Sequence, residues 1–174
     1  MSTQPSTGVG RVIAEMVKGK PAIDLELGNA VAGAIAKNFK VKPDEVAILR
    51  MSANSKQLEF IVPEKLGKVG TVPMTSTSSL AVRSARDRKP EFNNNFSAAS
   101  HPTVFEAVRL SKEGGDPIQK ILSVPVLSEG KTVGVIQVSR KGKTTGAAGP
   151  DFAAKDLAEL NEVAAVLAPC LKHA

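Results

Sequence analysis

Residues 123–141, SVPVLSEGKTVGVIQVSRK, form a predicted β-hairpin. Two extended runs flank residues 128–131, a cluster of turn-forming residues with a glycine near its middle. A strand that shows one face to water alternates apolar and polar residues. The second run does not alternate in this way, so we expect both faces of this hairpin to be covered.

The alternate residues of the second run define its two faces. Because Gln137 is the only polar member, we expect helices on one face, and more protein or a small molecule on the Gln137 face. Gly134 has no side chain in mid-strand, which predicts a bulge or a close approach by another element, and a packed helix would suffice. The two faces are Val133, Val135 and Gln137, and Gly134, Ile136 and Val138.

Helices and a second hairpin surround this segment in the sequence. Apolar residues at helical spacing predict helices over residues 9–17, 22–39 and 152–172. Strand-like runs at residues 46–52 and 58–63, separated by a turn cluster, predict another hairpin. We therefore expect an α+β domain, in which a mainly antiparallel sheet carries the terminal helices on one face.

The middle of the chain is the predicted cover for the other face of the sheet. This cover, residues 64–117, should mix helix and loop. Its predicted parts are an irregular stretch over 65–75, a helix over 76–89, a polar connection over 91–100 and a short helix over 100–110.

Length and cysteine usage bound the type of protein. The 174 residues suit one domain, and we expect a frayed tail over residues 1–8 and a single domain over residues 9–174. The single cysteine, Cys170, excludes an internal disulfide framework and a four-thiolate zinc site. No apolar run reaches the ~20 residues of a membrane span. These features lead us to expect a cytoplasmic protein without a membrane partner.

The charge balance is basic, with a formal net charge of +6. Such a balance can attract nucleic acid, but aromatic residues, on which nucleic-acid bases stack, make up only 3% of the chain. We interpret the basic residues as a solvated surface rather than as a nucleic-acid interface.

The 123–141 hairpin also carries a family resemblance. Through Ser123, Pro125, Gly130 and Gly134 it is similar to the S-x-x-x-x-P-x-x-x-x-G-x-x-x-G hairpin of GAF domains, although Ser123 and Pro125 are only two residues apart. GAF domains are small-molecule sensor modules. The resemblance implies their fold and a role in sensing and signal transduction.

The last predicted helix and the middle segment extend the resemblance over residues 22–172. Phe152, Asp156 and Leu160 fit the F-x-x-x-D-x-x-x-L frame of the closing GAF helix. The stretch GTVPMTSTSSLAVRSARDRKPEFNNN is similar to the middle helix and the loop that follows it. Each motif is moderately specific, and it is their order that supports the resemblance.

Several ligand-specific features of the family are missing from this sequence. The chain lacks the N-K-F-D-E motif of cyclic-nucleotide-binding members, the mid-chain cysteine of bilin-attaching members and the several cysteines of methionine sulfoxide reductase members. Haem-binding members use a histidine, for which His101 is the candidate. The resemblance therefore implies a sensor whose ligand and cofactor stay unidentified.

Candidate ligand-binding residues lie first at the start of the helix over 76–89. Its hydroxyl-rich start includes Ser78 and Ser79, and Arg83 follows one turn later. Free N–H groups and an arginine fork favour an anion at such a place. The alternative is ordinary helix capping next to a surface arginine.

Three further candidates are polar residues on or near the expected ligand face. Gln137 and Ser123 lie in apolar strands, and Asn94 lies in an asparagine run. A buried polar group needs a partner, which could be a ligand or another part of the protein. Asn94 could equally be an ordinary turn residue.

Metal and catalytic sites receive weaker support from the sequence. His101 has no second histidine, cysteine or carboxylate cluster nearby, so we predict no metal site. Cys170 has His173 within reach on the same predicted helix. A nucleophile needs a surrounding pocket, which a terminal helix does not supply, so we predict no enzyme.

The leading hypothesis is a regulatory module that binds a small molecule between the sheet and residues 64–117. It would act through a homodimer of its terminal helices or through a partner signalling protein. The alternatives are a structural module that has lost ligand binding and, third, a reductase that uses Cys170. A heptad-like stripe suggests the dimer, but core packing would explain it equally well; its members are Leu157, Leu160, Ala164, Leu167 and Leu171.

Overall fold

An antiparallel sheet is the centre of the computed structural model, which describes residues 8–67, 71–77, 79–96 and 117–172. Over those ranges the sheet has six strands in the order β3-β2-β1-β6-β5-β4, and all neighbours are antiparallel. The strands are β1 (Val46–Met51), β2 (Gln57–Val62), β3 (Thr71–Pro73), β4 (Glu91–Asn93), β5 (Ile118–Ser128) and β6 (Lys131–Lys141).

Helices lie on both faces of the sheet. Asp24 caps α2 because its Oδ1 accepts a hydrogen bond from the Leu27 amide at 2.7 Å, so this helix begins three residues later than the sequence predicts. None of the described helices is both long and apolar enough to cross a membrane. The helices are α1 (Gly8–Val17), α2 (Leu25–Phe39), α3 (Glu64–Gly67), α4 (Leu80–Asp87) and α5 (Ala154–Leu171), and a 3₁₀ turn (Pro43–Glu45) leads into β1.

The sheet separates two apolar cores, as the α+β prediction requires. The first core joins α1, α2 and α5 to side chains such as Ile48, Val124 and Ile136. The second joins Leu49 and Val135 to the described part of the middle segment. The middle-segment residues in this second core are Leu66, Val72, Leu80, Ala81, Val82, Ala85 and Phe96.

The β5–β6 hairpin confirms the predicted faces with one exception. Glu129 and Gly130 form a two-residue turn with φ of 52° and 80°, which is the pattern of a type I′ turn. Val133 does not share the face of Val135 but packs against the helix-side core. The register shifts there, because Val126 pairs with Gly134 while Leu127 pairs with Thr132. The predicted face was wrong for Val133, because it assumed strict alternation through this register shift.

Gly134 is explained by both of the structural reasons that the sequence suggests. A Cβ atom at this position would overlap the carbonyl oxygen of Leu49 in β1, and would lie 3.1 Å from Cδ1 of Leu171 in α5. The register shift lies next to it. The glycine therefore lets β1 and α5 approach β6, and it requires no ligand.

The middle segment is more regular than predicted. The stretch expected to be irregular contains α3 and β3, and the expected polar connection contains β4. Both strands are three residues long and lie at the sheet edges, so they pair through their backbones and leave little alternation to recognise. The predicted helix over residues 100–110, with His101, lies outside the described residues.

The stripe on α5 is part of the helix-side core. Its members are buried within the chain except Leu157, which is partly buried against the same core. This supports the core-packing interpretation of the stripe. The helix also continues through Pro169 to Leu171.

Candidate functional site

Three polar side chains meet between the sheet and α4. Gln137 donates from Nε2 to Oγ of Ser123 at 3.2 Å, and Ser123 Oγ lies 2.8 Å from Oγ of Ser84. All three residues are 1% exposed or less. In an apolar interior such groups need hydrogen-bond partners, and here they supply partners to one another. We call this set the polar triad.

The hairpin register and the anchoring of α4 create the polar triad. Ser123 and Gln137 are directly paired across β5 and β6. The C-terminal end of α4 is fixed to the same hairpin, since Thr132 Oγ1 donates to the Ala85 carbonyl oxygen at 2.7 Å. Arg88 also donates to the Gly130 carbonyl oxygen at 3.1 Å. These bonds hold Ser84 above the paired strands.

The hydroxyl-rich start of α4 functions as a helix cap. Ser79 is 3% exposed, and its Oγ accepts a hydrogen bond from the Val82 amide at 3.2 Å. The Ser79 amide in turn donates to Oγ of Ser76 at 3.3 Å. Ser78 lies outside the described residues. The capping interpretation therefore accounts for Ser79 within the described part of this segment.

Arg83 binds a carboxylate of the protein itself. Its Nη2 and Nε donate to the two carboxylate oxygens of Glu91 in β4, at 2.6 and 3.0 Å. The two side chains are 51% and 40% exposed. This is the fork geometry that arginine offers to anions, and Glu91 now occupies it. A ligand anion would have to compete with Glu91.

Asn94 bonds to the residue that precedes the N-cap of α5. Its Nδ2 donates to the Phe152 carbonyl oxygen at 3.0 Å, and its Oδ1 accepts from the Phe152 amide at 2.8 Å. Asn94 lies beside an open surface groove of about 550 Å³. The groove is lined by Asn93, Asn94, Asn95, Lys120, Thr145, Gly146 and Asp151.

The structure describes five of the six predicted site residues and places them in separate parts of the fold. It brings Ser123 and Gln137 together. Ser79 is the N-cap of α4, Arg83 pairs with Glu91 at the surface, and Asn94 bonds to Phe152 just before α5. Ser84 was not predicted; its sequence signal is its position one turn after Leu80 and Ala81, on the apolar stripe of a short helix.

Lys120 is a second residue that the sequence reasoning missed. It is 4% exposed, and its Nζ donates to the Gly149 carbonyl oxygen at 2.6 Å and pairs with Asp151 at 2.7 Å. A lysine is rarely buried unless it is paired. Its sequence signal is a charged residue in a strand that has no other charge.

Two other ionisable groups lie on the helix side of the sheet. Cys170 is 1% exposed, and burial raises the pKa of its thiol, which disfavours the nucleophilic thiolate. Burial also lowers the pKa of Arg140, an effect that Asp156 and Glu45 oppose. The Arg140 guanidinium lies 4.7 Å from the ring centroid of Phe152.

Among the described residues, no group of three or more histidine, cysteine or acidic side chains could hold a metal ion.

Comparison with known families now identifies this architecture. A family model described as "GAF domain" matches residues 22–172. The chain belongs to the GAF domain family. This family consists of sensory and regulatory modules, and the match covers the same range as the resemblance found in the sequence. No curated protein matches the chain significantly.

Solved structures of similar proteins confirm the fold of this GAF domain. The GAF domain of a phosphoenolpyruvate-protein phosphotransferase from Acinetobacter is 15% identical, with 94% and 90% of the two chains covered and a TM-score of 0.68. A segment of a methyl-accepting chemotaxis protein is 14% identical, with 91% and 93% covered and a TM-score of 0.64. Free methionine-R-sulfoxide reductase from Neisseria meningitidis is also 14% identical, with 94% and 86% covered and a TM-score of 0.63.

Proposed function

We propose that this GAF domain is a regulatory sensor that binds a small molecule between the sheet and residues 64–117. The observation that carries the proposal is the polar triad. Its three side chains lie in an otherwise apolar contact, between the sheet and the segment that covers it. A ligand that entered this contact could replace Ser84 as the partner of Ser123. The triad would then give the site its polar specificity.

Binding would shift the position of the middle segment, because a ligand favours the state in which it makes more contacts. The terminal helices would pass this shift to a second copy of the chain or to a partner signalling protein. Since the α5 stripe is buried within the chain, a homodimer would use the outer surface of the terminal helices. Val12 on α1 is 50% exposed there.

The test begins with native mass spectrometry of the freshly purified full chain, followed by thermal shifts with nucleotides, amino acids and haem. The matched variants are Gln137→Met, which removes the amide at similar size, and Ser139→Ala. Ser139 is also fully buried in β6 but bonds to the Glu45 carbonyl oxygen. For the wild type and for Ser139→Ala, we expect either the extra mass of a co-purified compound or a rise in melting temperature with one of the added compounds. Gln137→Met should weaken that binding at least 10-fold.

If the purified chain carries no bound compound and no added compound raises its melting temperature, ligand sensing is contradicted. That result would favour the structural module. In such a module the polar triad and Arg83 need no ligand, because their partners are other side chains of the protein. Equal binding by Gln137→Met and the wild type would place the ligand away from the polar triad.

The absence of catalysis is part of the same proposal. The reductase in the comparison gives a specific alternative reaction, but Cys170 lies in the helix-side core with a raised thiol pKa. We expect no reduction of free methionine sulfoxide in the presence of a dithiol reductant. Activity that disappears in Cys170→Ser would overturn this part of the proposal.

A further inference from the structure

Asn94 and Phe152 form a closed pair of hydrogen bonds between the two halves of the chain. The Asn94 side chain both donates to and accepts from the backbone of Phe152, at 3.0 and 2.8 Å. Asn94 follows β4 directly, and Phe152 lies two residues before α5. The bond pair therefore joins the middle segment to the start of the C-terminal helix.

Phe152 connects this point to the rest of the helix layer. It is 2% exposed, and its ring makes an edge contact with Phe39 at the end of α2, with centroids 6.5 Å apart. Arg140 of β6 lies over the same ring at 4.7 Å. Because Phe152 contacts α2 and β6 as well as leading into α5, a displacement of its backbone would affect several elements.

Lys120 fixes the residues just before Phe152. Its ammonium group bonds to Gly149 and Asp151, and its strand, β5, pairs with β4. These bonds hold residues 149–151 against the sheet, so that Phe152 reaches Asn94 in a defined position.

The Asn94 contact can open more easily than the polar triad. Asn94 is half-buried and borders the groove of about 550 Å³, so water can replace either hydrogen bond. The polar triad is fully buried, where an unmade bond is far more costly. The Asn94 contact can therefore open in the ligand-free chain, whereas the polar triad opens only when another group replaces the partner that is lost.

We propose that Asn94 is the positioning residue through which a movement of the middle segment reaches α5. The signal that would cause the movement rests on the proposed function, but the link itself does not depend on a ligand. When β4 shifts, the Asn94 side chain either carries Phe152 with it or releases it. Either event changes the first turns of α5.

Hydrogen–deuterium exchange of the ligand-free full chain tests the link. Asn94→Ala removes both bonds, and Asn94→Asp keeps the acceptor for the Phe152 amide. Asn93→Ala is the matched control, because the hydrogen bond of its side chain within the described residues comes from the Asn95 amide and not from α5. We expect exchange over residues 154–160 to be on the order of 10-fold faster in Asn94→Ala. The increase should be smaller in Asn94→Asp and absent in Asn93→Ala.

A second perturbation tests transmission itself. Val82→Ala loosens α4 from the sheet, since Val82 is fully buried in the second core. It should accelerate exchange in α5 when Asn94 is present and add nothing in the Asn94→Ala background. Equal acceleration in both backgrounds, or no difference between Asn94→Ala and Asn93→Ala, would overturn the inference. A negative ligand screen with a positive exchange result would remove the proposed function and leave the link intact.

Discussion

Arg50 in β1 holds the C-terminal end of α5. Its Nε donates to the carbonyl oxygen of Leu171 at 3.0 Å, and Nη2 reaches the carbonyl oxygen of Lys172 at 3.5 Å. The last carbonyls of a helix have no partner within the helix and carry partial negative charge. A cation from the central sheet therefore caps the helix and fixes its end to the strand.

The first prediction concerns this cap. Arg50→Met keeps the apolar stem but removes the donors, and we expect the free energy of unfolding to fall by roughly 1.5–3 kcal/mol. Urea denaturation measures this change. The matched control is Arg86→Met. The Arg86 side chain is exposed, and its Nε lies 3.9 Å from Oδ1 of Asp87, so its loss should cost little stability. If both variants lost the same stability, the cap would not be the cause.

The second prediction concerns the approach of β1 and α5 to Gly134. Gly134→Ala would force its Cβ atom against the Leu49 carbonyl oxygen, and we expect a loss of about 1–3 kcal/mol or more in unfolding free energy. Gly33→Ala is the control, because nothing lies within 4 Å of a Cβ atom there. In the interior of α2 this change should instead stabilise the protein by roughly 0.5–1 kcal/mol. A neutral result at Gly134 would contradict the packing described.

The fold can be predicted from the sequence wherever burial leaves a visible pattern of apolar residues. The β5–β6 hairpin is apolar on both faces because each face has its own core, and that pattern is visible in the sequence itself. The edge strands β3 and β4 are three residues long, and their backbone pairing has no side-chain signature. The position of Val133 depends on a register shift between two strands, which the pattern of either strand alone does not reveal.

The candidate site could be predicted only in part, for a related reason. Gln137 and Ser123 stand out as polar residues in apolar strands, whereas Ser84 resembles any serine on a short helix. Asn94 is recognisable as a turn residue, but its partner Phe152 is 58 positions away. Local pattern identifies which residues are unusual, and only the tertiary structure identifies what they bind.

The third prediction is that Ser84 and Ser123 act as a unit. Ser84→Ala and Ser123→Ala each remove the hydroxyl–hydroxyl bond of 2.8 Å, so the double variant should lose less stability than the sum of the two. We expect a coupling energy of about 0.5–3 kcal/mol from a double-mutant cycle in urea. Pairing Ser84→Ala with Ser139→Ala gives the control, and that pair should be additive. Additivity in the first cycle would argue against the bond.

The fourth prediction separates stability from binding at Arg83. Since Arg83 and Glu91 are both substantially exposed, Arg83→Gln should change the free energy of unfolding by less than about 1 kcal/mol. The variant therefore stays folded and can enter the ligand screen. If Arg83 binds a ligand anion, Glu91→Gln should strengthen binding of the active compound because it removes the competing carboxylate. Identical affinities in the wild type and both variants would exclude Arg83 from the site.

The last prediction follows from the burial of Cys170. Because burial raises the pKa of its thiol in the folded state, the unfolded chain releases this proton at a lower pH than the folded chain does. The contribution of Cys170 to stability is therefore fully present below the ordinary thiol pKa of about 8.5 and is lost as the pH rises toward the folded-state value. Urea midpoints measured from pH 7 to pH 10 should fall more steeply for the wild type than for Cys170→Ala. Ellman's reagent should also react with the native protein far more slowly than with the unfolded chain. Parallel pH profiles together with rapid native labelling would show that the thiol is accessible, and would reopen the possibility that Cys170 is a nucleophile.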